Sequence, residues 1–284
     1  MILGAAVRRI RRLFGEVSDA SGTVVSLTFD DGWADQYEHA RPILAAHGTK
    51  ATFYVNSNRI NTTGFLTWAH LEELHADGHE IGGHTLDHVD ITELPVEEAR
   101  RQVGDDRAAL IDRGFEAQSF AYPYGAHDAV ARSIVRDCGY TSGRAAWGLR
   151  NLDGLNGDSR PVAASIQPED LYGIPTACCI RSTTPLANLQ SQIVNAETRG
   201  GRSWVPLVLH RVCDDGGDHP AHSISPATLD RFLDWLQARD ANGTVVRTIA
   251  DVIGEDRSLS STARTPAPIS APQTAKPDAS MPRP

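Results

Sequence analysis

Apolar runs of four to six residues alternate with longer amphipathic segments through most of the chain. The first run, over 24–29, is β-branched and ends at two adjacent carboxylates and a glycine, Asp30-Asp31-Gly32. That pattern predicts a buried strand leaving through a turn. A helix is predicted over 35–46, with Pro42 marking a kink or a later start and Gly48 ending it. Further strands are predicted over 51–55, 80–83, 118–121, 204–209 and 244–246, and one beginning at 138–141. Helices are predicted over 68–77, N-capped by Thr67, and over 95–113, 127–137, 184–197, 226–239 and 248–253. Residues 142–183 show no readable period. The βα alternation over 24–253 predicts a parallel α/β sheet, open or closed.

The flanks read differently. Residues 1–21 form a basic leader in which the apolar stretch 1–7 precedes Arg8, Arg9, Arg11 and Arg12, the reverse of a signal peptide's order. From 258 to 284 the chain is Ser, Thr, Ala and Pro with little to bury, and disorder is expected there. Residues 22–257 are left as one domain. No stretch reaches the ~20 apolar residues of a membrane span. A net charge of −9 argues against nucleic acid as a partner. The four cysteines, Cys138, Cys178, Cys179 and Cys213, contain no C-x-x-C pair. In an oxidising compartment Cys213 could bridge to Cys178 or Cys179; free thiols are the plainer reading, and the vicinal pair reads as two ordinary cysteines.

Asp30 and Asp31 would repel if both were ionised and unpaired, so a cation or a base is expected beside them. His84 and His88 are four apart, and on a helical turn they would share a face. His75 and His79 have the same spacing, and there surface positions at a helix end are expected. Asp30, His84, Tyr124 and His210 each fall just past a predicted strand. Strand ends are where an α/β barrel gathers its chemistry. Two imidazoles with Asp30 or Asp31 make a divalent-metal set, the other aspartate serves as general base, and His210 can act as an acid.

Thr28-Phe29-Asp30-Asp31-Gly32, His84-Thr85-Leu86-Asp87-His88, Tyr122-Pro123-Tyr124-Gly125 and Val208-Leu209-His210 stand in the order found in polysaccharide deacetylases. These are the NodB-homology enzymes of carbohydrate esterase family 4, and the resemblance spans about 22–253. It implies an irregular, distorted (β/α) barrel and metal-dependent removal of N-acetyl groups from chitin, peptidoglycan or poly-N-acetylglucosamine, with release of acetate. Asp30 would be the base, and Asp31, His84 and His88 the ligands of one divalent ion, zinc first, with cobalt, nickel or manganese as substitutes. The Tyr124 amide would hold the oxyanion, and His210 would protonate the leaving amine. Val208 and Leu209 would line the acetyl methyl. The resemblance also implies an acetylated glycan as the partner and an extracellular or cell-envelope location; a monomer is expected.

Two positions depart from that pattern. The arginine that usually orients the base is replaced by Ala121. Arg144 could substitute, although a surface or ion-paired arginine is the plainer reading. The Asp-Trp motif that usually orients the acid is absent; Asp153 and Trp147 lie nearby without matching it, and Asp214 and Asp215 read as solvent-facing. Trp68, Trp147 and Trp204 read as core, and His219 and His222 as solvated. These departures keep two alternatives open: a hydrolase of small non-peptide amides, and a catalytically weak glycan-binding module.

Overall fold

The computed structural model describes residues 22–153, 158–199, 201–214 and 220–254. The leader 1–21 and the tail 258–284 lie outside these residues. The elements in order are β1 (Gly22–Phe29), α1 (Arg41–Ala46), β2 (Thr52–Val55), α2 (Trp68–Ala76), β3 (Glu80–Gly83) and α3 (Val96–Ile111). Next come β4 (Ser119–Ala121), α4 (Ala129–Asp137), β5 (Ser142–Gly148), β6 (Ala164–Ser165), β7 (Ile174–Thr176) and α5 (Leu186–Glu197). The chain closes with β8 (Arg202–Leu209), β9 (Arg211–Val212), β10 (Ser223–Ile224), α6 (Pro226–Ala238), β11 (Val245–Val246) and a helix over 249–254.

The large sheet runs β6-β8-β1-β2-β3-β4-β5-β7, with β11 added to β1. All its pairings are parallel except β6 against β8. Past β7, Ala177 bridges Leu207 of β8, so the sheet is nearly closed into a barrel. Residues of one strand parity face the helices: Val25, Leu27 and Phe29 of β1 join Val205, Leu207 and Leu209 of β8 in the main core. The opposite parity faces inward, where Val24 and Trp204 meet Ile249, Val252 and Ile253 of the last helix. Trp204 is fully buried and its Nε1 donates to Ser26 Oγ at 2.9 Å.

Several boundaries differ from the sequence reading. The predicted helix over 35–46 opens as a π-helical turn, Gln36–Ala40, and becomes α-helical only at Arg41, beside Pro42. The strand expected from 138 starts at Ser142, because Cys138 caps α4 and Gly139 turns at φ 96. Over 142–183 the structure has β5, β6 and β7, the last two only two and three residues long, too short to show a period. Gly82 is required by close packing: a Cβ there would lie 2.6 Å from the Tyr54 ring and 2.8 Å from Ser119 O.

Cys178 and Cys179 are joined to each other as a vicinal disulfide, in which neither Cys138 nor Cys213 takes part. This overturns both the two-thiol reading and the bridge to Cys213.

Candidate active site

Asp30 follows β1 and Asp31 turns at φ 72, which swings its carboxylate away from that of Asp30. His84 follows β3. The His84–His88 segment is a loop, contrary to the helical turn considered from the spacing. Thr85 and His88 have φ values of 67 and 60. Six non-glycine residues among those described have positive φ, and four of them (Asp31, Thr85, His88 and Tyr124) stand here, so backbone strain concentrates at this mouth. Side chains remote in sequence hold the loop. Asn56 Nδ2 donates to the carbonyls of His84 and Thr85, and the His84 amide donates to Asp106 Oδ2 at 3.1 Å. Asp106 Oδ1 also accepts from the amide and hydroxyl of Ser57. Burial pushes the Asp106 carboxyl up to about 6, although these bonds oppose the shift.

Asp31, His84 and His88 each turn one ligand atom toward a common point, all within 4.8 Å of one another. Asp31 Oδ1 lies 3.1 Å from His88 Nε2 and 3.5 Å from His84 Nε2, yet this buried oxygen accepts no hydrogen bond. Its other oxygen accepts from Trp33 Nε1 at 3.0 Å. The Nδ1–H of His84 donates to Ala121 O at 2.7 Å, which directs the lone pair of Nε2 into the cluster. A cation fits this donor set: an orphaned carboxylate oxygen with two imidazole nitrogens aimed beside it. Burial alone would raise the Asp31 carboxyl, but the close approach of the His84 and His88 imidazoles and the nearby charge of His210 hold it well below the usual range. Burial would lower His84; its contact with Asp31 and the charges of both aspartates reverse that and raise it. Burial keeps His88 lowered.

Asp30 is ion-paired with Arg144 on β5, and both side chains are almost completely buried. Arg144 is therefore an ion-paired arginine, but a buried one whose partner is Asp30 rather than one at the surface. Its guanidinium also lies 4.6 Å over the Tyr54 ring and donates to Ala145 O at 3.3 Å. No local signal announces this pair, which spans 114 residues.

Tyr124 has φ 58 and packs its exposed ring edge-on against His88 at 4.7 Å. The hydrogen bonds of its turn run from Gly125 N to Tyr122 O and from Ala126 N to Pro123 O, leaving the Tyr124 amide out. His210 follows β8, and its Nδ1 has no hydrogen-bond partner. Its ring lies 5.3 Å from that of His222, which was read as solvated. Asp153 is engaged elsewhere, accepting from Thr184 Oγ1 at 2.8 Å. Asp214 is exposed, and Asp215 and His219 lie outside the described residues. Val208 and Leu209 are both buried on opposite faces of β8; Leu209 belongs to the core under the helices. Trp147, at the end of β5, is 49% exposed rather than core. His79 is buried, not a surface histidine, and its Nδ1 accepts from the Ala51 amide at 3.1 Å.

A nearly closed parallel barrel thus carries, at the carboxyl ends of its strands, an Asp-His-His group whose donor atoms could hold a cation. The polysaccharide deacetylase model matches residues 18–143 of the chain. It is 31% identical over 121 residues to YxkH of Bacillus subtilis, covering 42% of this chain and 43% of that one. It is 32% identical over 117 residues to the peptidoglycan-N-acetylglucosamine deacetylase PgdA of Listeria monocytogenes, covering 40% and 24%. These matches thus span less than half the length of either relative. The fold is shared with a family 4 acetyl xylan esterase from Clostridium thermocellum in complex with a cobalt ion, at TM-score 0.55 and 19% identity, covering 82% of this chain and 92% of that one. No helix among the described residues is long and apolar enough to cross a membrane.

Proposed function

We propose that this protein is a metal-dependent N-deacetylase of acetylated amino-sugar polymers or oligomers. The observation that carries the reading is the convergence of Asp31, His84 and His88 beside an Asp30 already paired with an arginine. Two imidazoles and a carboxylate suit zinc first, with cobalt, nickel or manganese able to substitute. When bound, such an ion polarises an amide carbonyl and acidifies water. Arg144 pairs with Asp30 and fixes its direction, so that Asp30 can take the proton of the attacking water. The free amide of Tyr124 is a donor for the developing oxyanion. His210 gives a proton to the departing amine. Acetate and a free amino sugar are the products. The Listeria relative's name supports a cell-wall glycan as substrate and a cell-envelope or extracellular site of action.

The test is acetate release from a panel of acetylated glycans by the zinc-loaded protein. Chelation stops release and added zinc or cobalt restores it. Asp30→Asn binds zinc as the native protein does but lowers kcat by on the order of 10³-fold. Undiminished release from metal-free protein, or native turnover by Asp30→Asn, overturns the reading. Glycan binding at full zinc occupancy without acetate release identifies a binding module instead.

A further inference from the structure

The side chain of Gln36 is fully buried in the π-helical turn, between the two strand ends that carry Asp30 and His210. Its Nε2 donates to Asp30 O at 2.6 Å and to His210 O at 2.7 Å. One amide group thus uses both protons on the backbones of two residues 180 positions apart in the chain. The β1–β8 ladder ends at the pair Phe29 and Leu209, with a last bond from Asp30 N to Leu209 O at 2.9 Å. Beyond that point Gln36 is what continues the seam.

Its neighbours grip the same strand exit. Asp35 accepts from Arg211 Nε at 2.7 Å and from the Val212 amide at 3.1 Å. The Nδ1–H of His39 donates to Val212 O at 2.6 Å. Asp35, Gln36 and His39 all meet 210–212 from the start of this π-helical turn, and such turns recur at functional sites. Among the described residues His210 Nδ1 has no hydrogen-bond partner, so no bond at that nitrogen holds the ring, whereas the carbonyl of the same residue is held by Gln36.

We propose that Gln36 is a positioning residue that sets the separation of Asp30 and His210, with Asp35 and His39 as the outer points of the same latch. This rests on the base and acid roles given above to those two residues. Gln36 touches neither substrate nor reacting atoms. It acts by holding two carbonyls, and through them two side chains, in one frame.

The test compares Gln36→Met, which keeps length but removes both donors, with Gln36→Asn, which keeps the amide but is too short to reach both carbonyls. Three readouts are taken: kcat and KM for acetate release from N-acetylglucosamine oligomers, zinc affinity by calorimetry, and amide hydrogen exchange. For Gln36→Met the expected result is a kcat lower by about 10- to 100-fold with KM and zinc affinity within about threefold, since small displacements of reacting groups cost that much. Exchange at Asp30, His210, Arg211 and Val212 rises at least about tenfold while β2 and β3 are unchanged. Gln36→Asn gives an intermediate result and keeps the test open if the Met variant fails to fold. A kcat within threefold of native, or unchanged exchange at 210–212, overturns the proposal. If the native protein releases no acetate from any glycan, the functional reading fails, and the exchange measurement alone decides whether Gln36 holds the seam.

Discussion

His84 and His210 each stand one residue past a strand of the same barrel, three strands apart around its mouth. His84 is held at every polar group: amide to Asp106, carbonyl to Asn56, Nδ1–H to Ala121 O. His210 is held at its carbonyl by Gln36, and its Nδ1 has no partner. The protein fixes one tautomer for the first and leaves both open to the second. A ligand needs a lone pair in a fixed direction, whereas a group that gives up and regains protons needs only a fixed place.

The largest effect should come from testing that contrast directly. His84→Ala is expected to abolish zinc binding and acetate release together, a loss of 10³-fold or more by the order-of-magnitude scale of metal catalysis. His210→Ala should keep zinc affinity within about threefold while kcat falls about 10²-fold. Equal loss of zinc in both variants, read by calorimetry, would break the comparison.

Next in size is Arg144→Met, which leaves Asp30 buried without its cation. Unfolding by denaturant should show a loss of about 3–5 kcal/mol, the usual result of breaking a buried pair. Asp30→Asn with Arg144→Met should recover part of that loss, and absence of any coupling would show that the pair does not act as a unit.

The smallest prediction adds a third histidine. Burial lowers His79 from 6.5 to about 4, although Lys50 and Asp77 also act on it. The unfolded chain therefore takes up a proton near 6.5 that the folded chain refuses until about 4. Stability is whole above 6.5 and falls as pH drops toward 4, by on the order of 2 kcal/mol. His79→Gln keeps an acceptor for the Ala51 amide and should flatten that part of the stability–pH curve. A variant as acid-sensitive as the native protein would assign the loss elsewhere.

Much of this was legible in the chain. The strands β1, β3 and β8 announce themselves as apolar runs, and their terminal residues are the groups that converge. The His84–His88 pair was legible as a pair but not as a loop, because spacing carries no record of the positive φ at Thr85 and His88. Arg144 was invisible as the partner of Asp30: pairing across the barrel follows strand order, and β5 lies in the stretch without periodicity. Gln36 gave no signal for the same reason, compounded by a π turn that no simple period encodes. His79 was misjudged because a helix-end position said nothing of the strand that buries it.

One feature of the sheet bears on how the molecule is made. One edge of β1 is shared, its early residues pairing with β11 and its late residues with β2, while β8 covers the other edge. The first strand therefore waits for nearly the last ones. During synthesis the Asp31, His84 and His88 group is complete once Asp106 and Ala121, which hold His84, have emerged, but the seam joining Asp30 to His210 forms only after β8 is complete. Such long-range parallel pairing is slow to form. A nascent chain would thus pass through a stage in which Asp31, His84 and His88 already stand together while Asp30 and His210 are not yet in register.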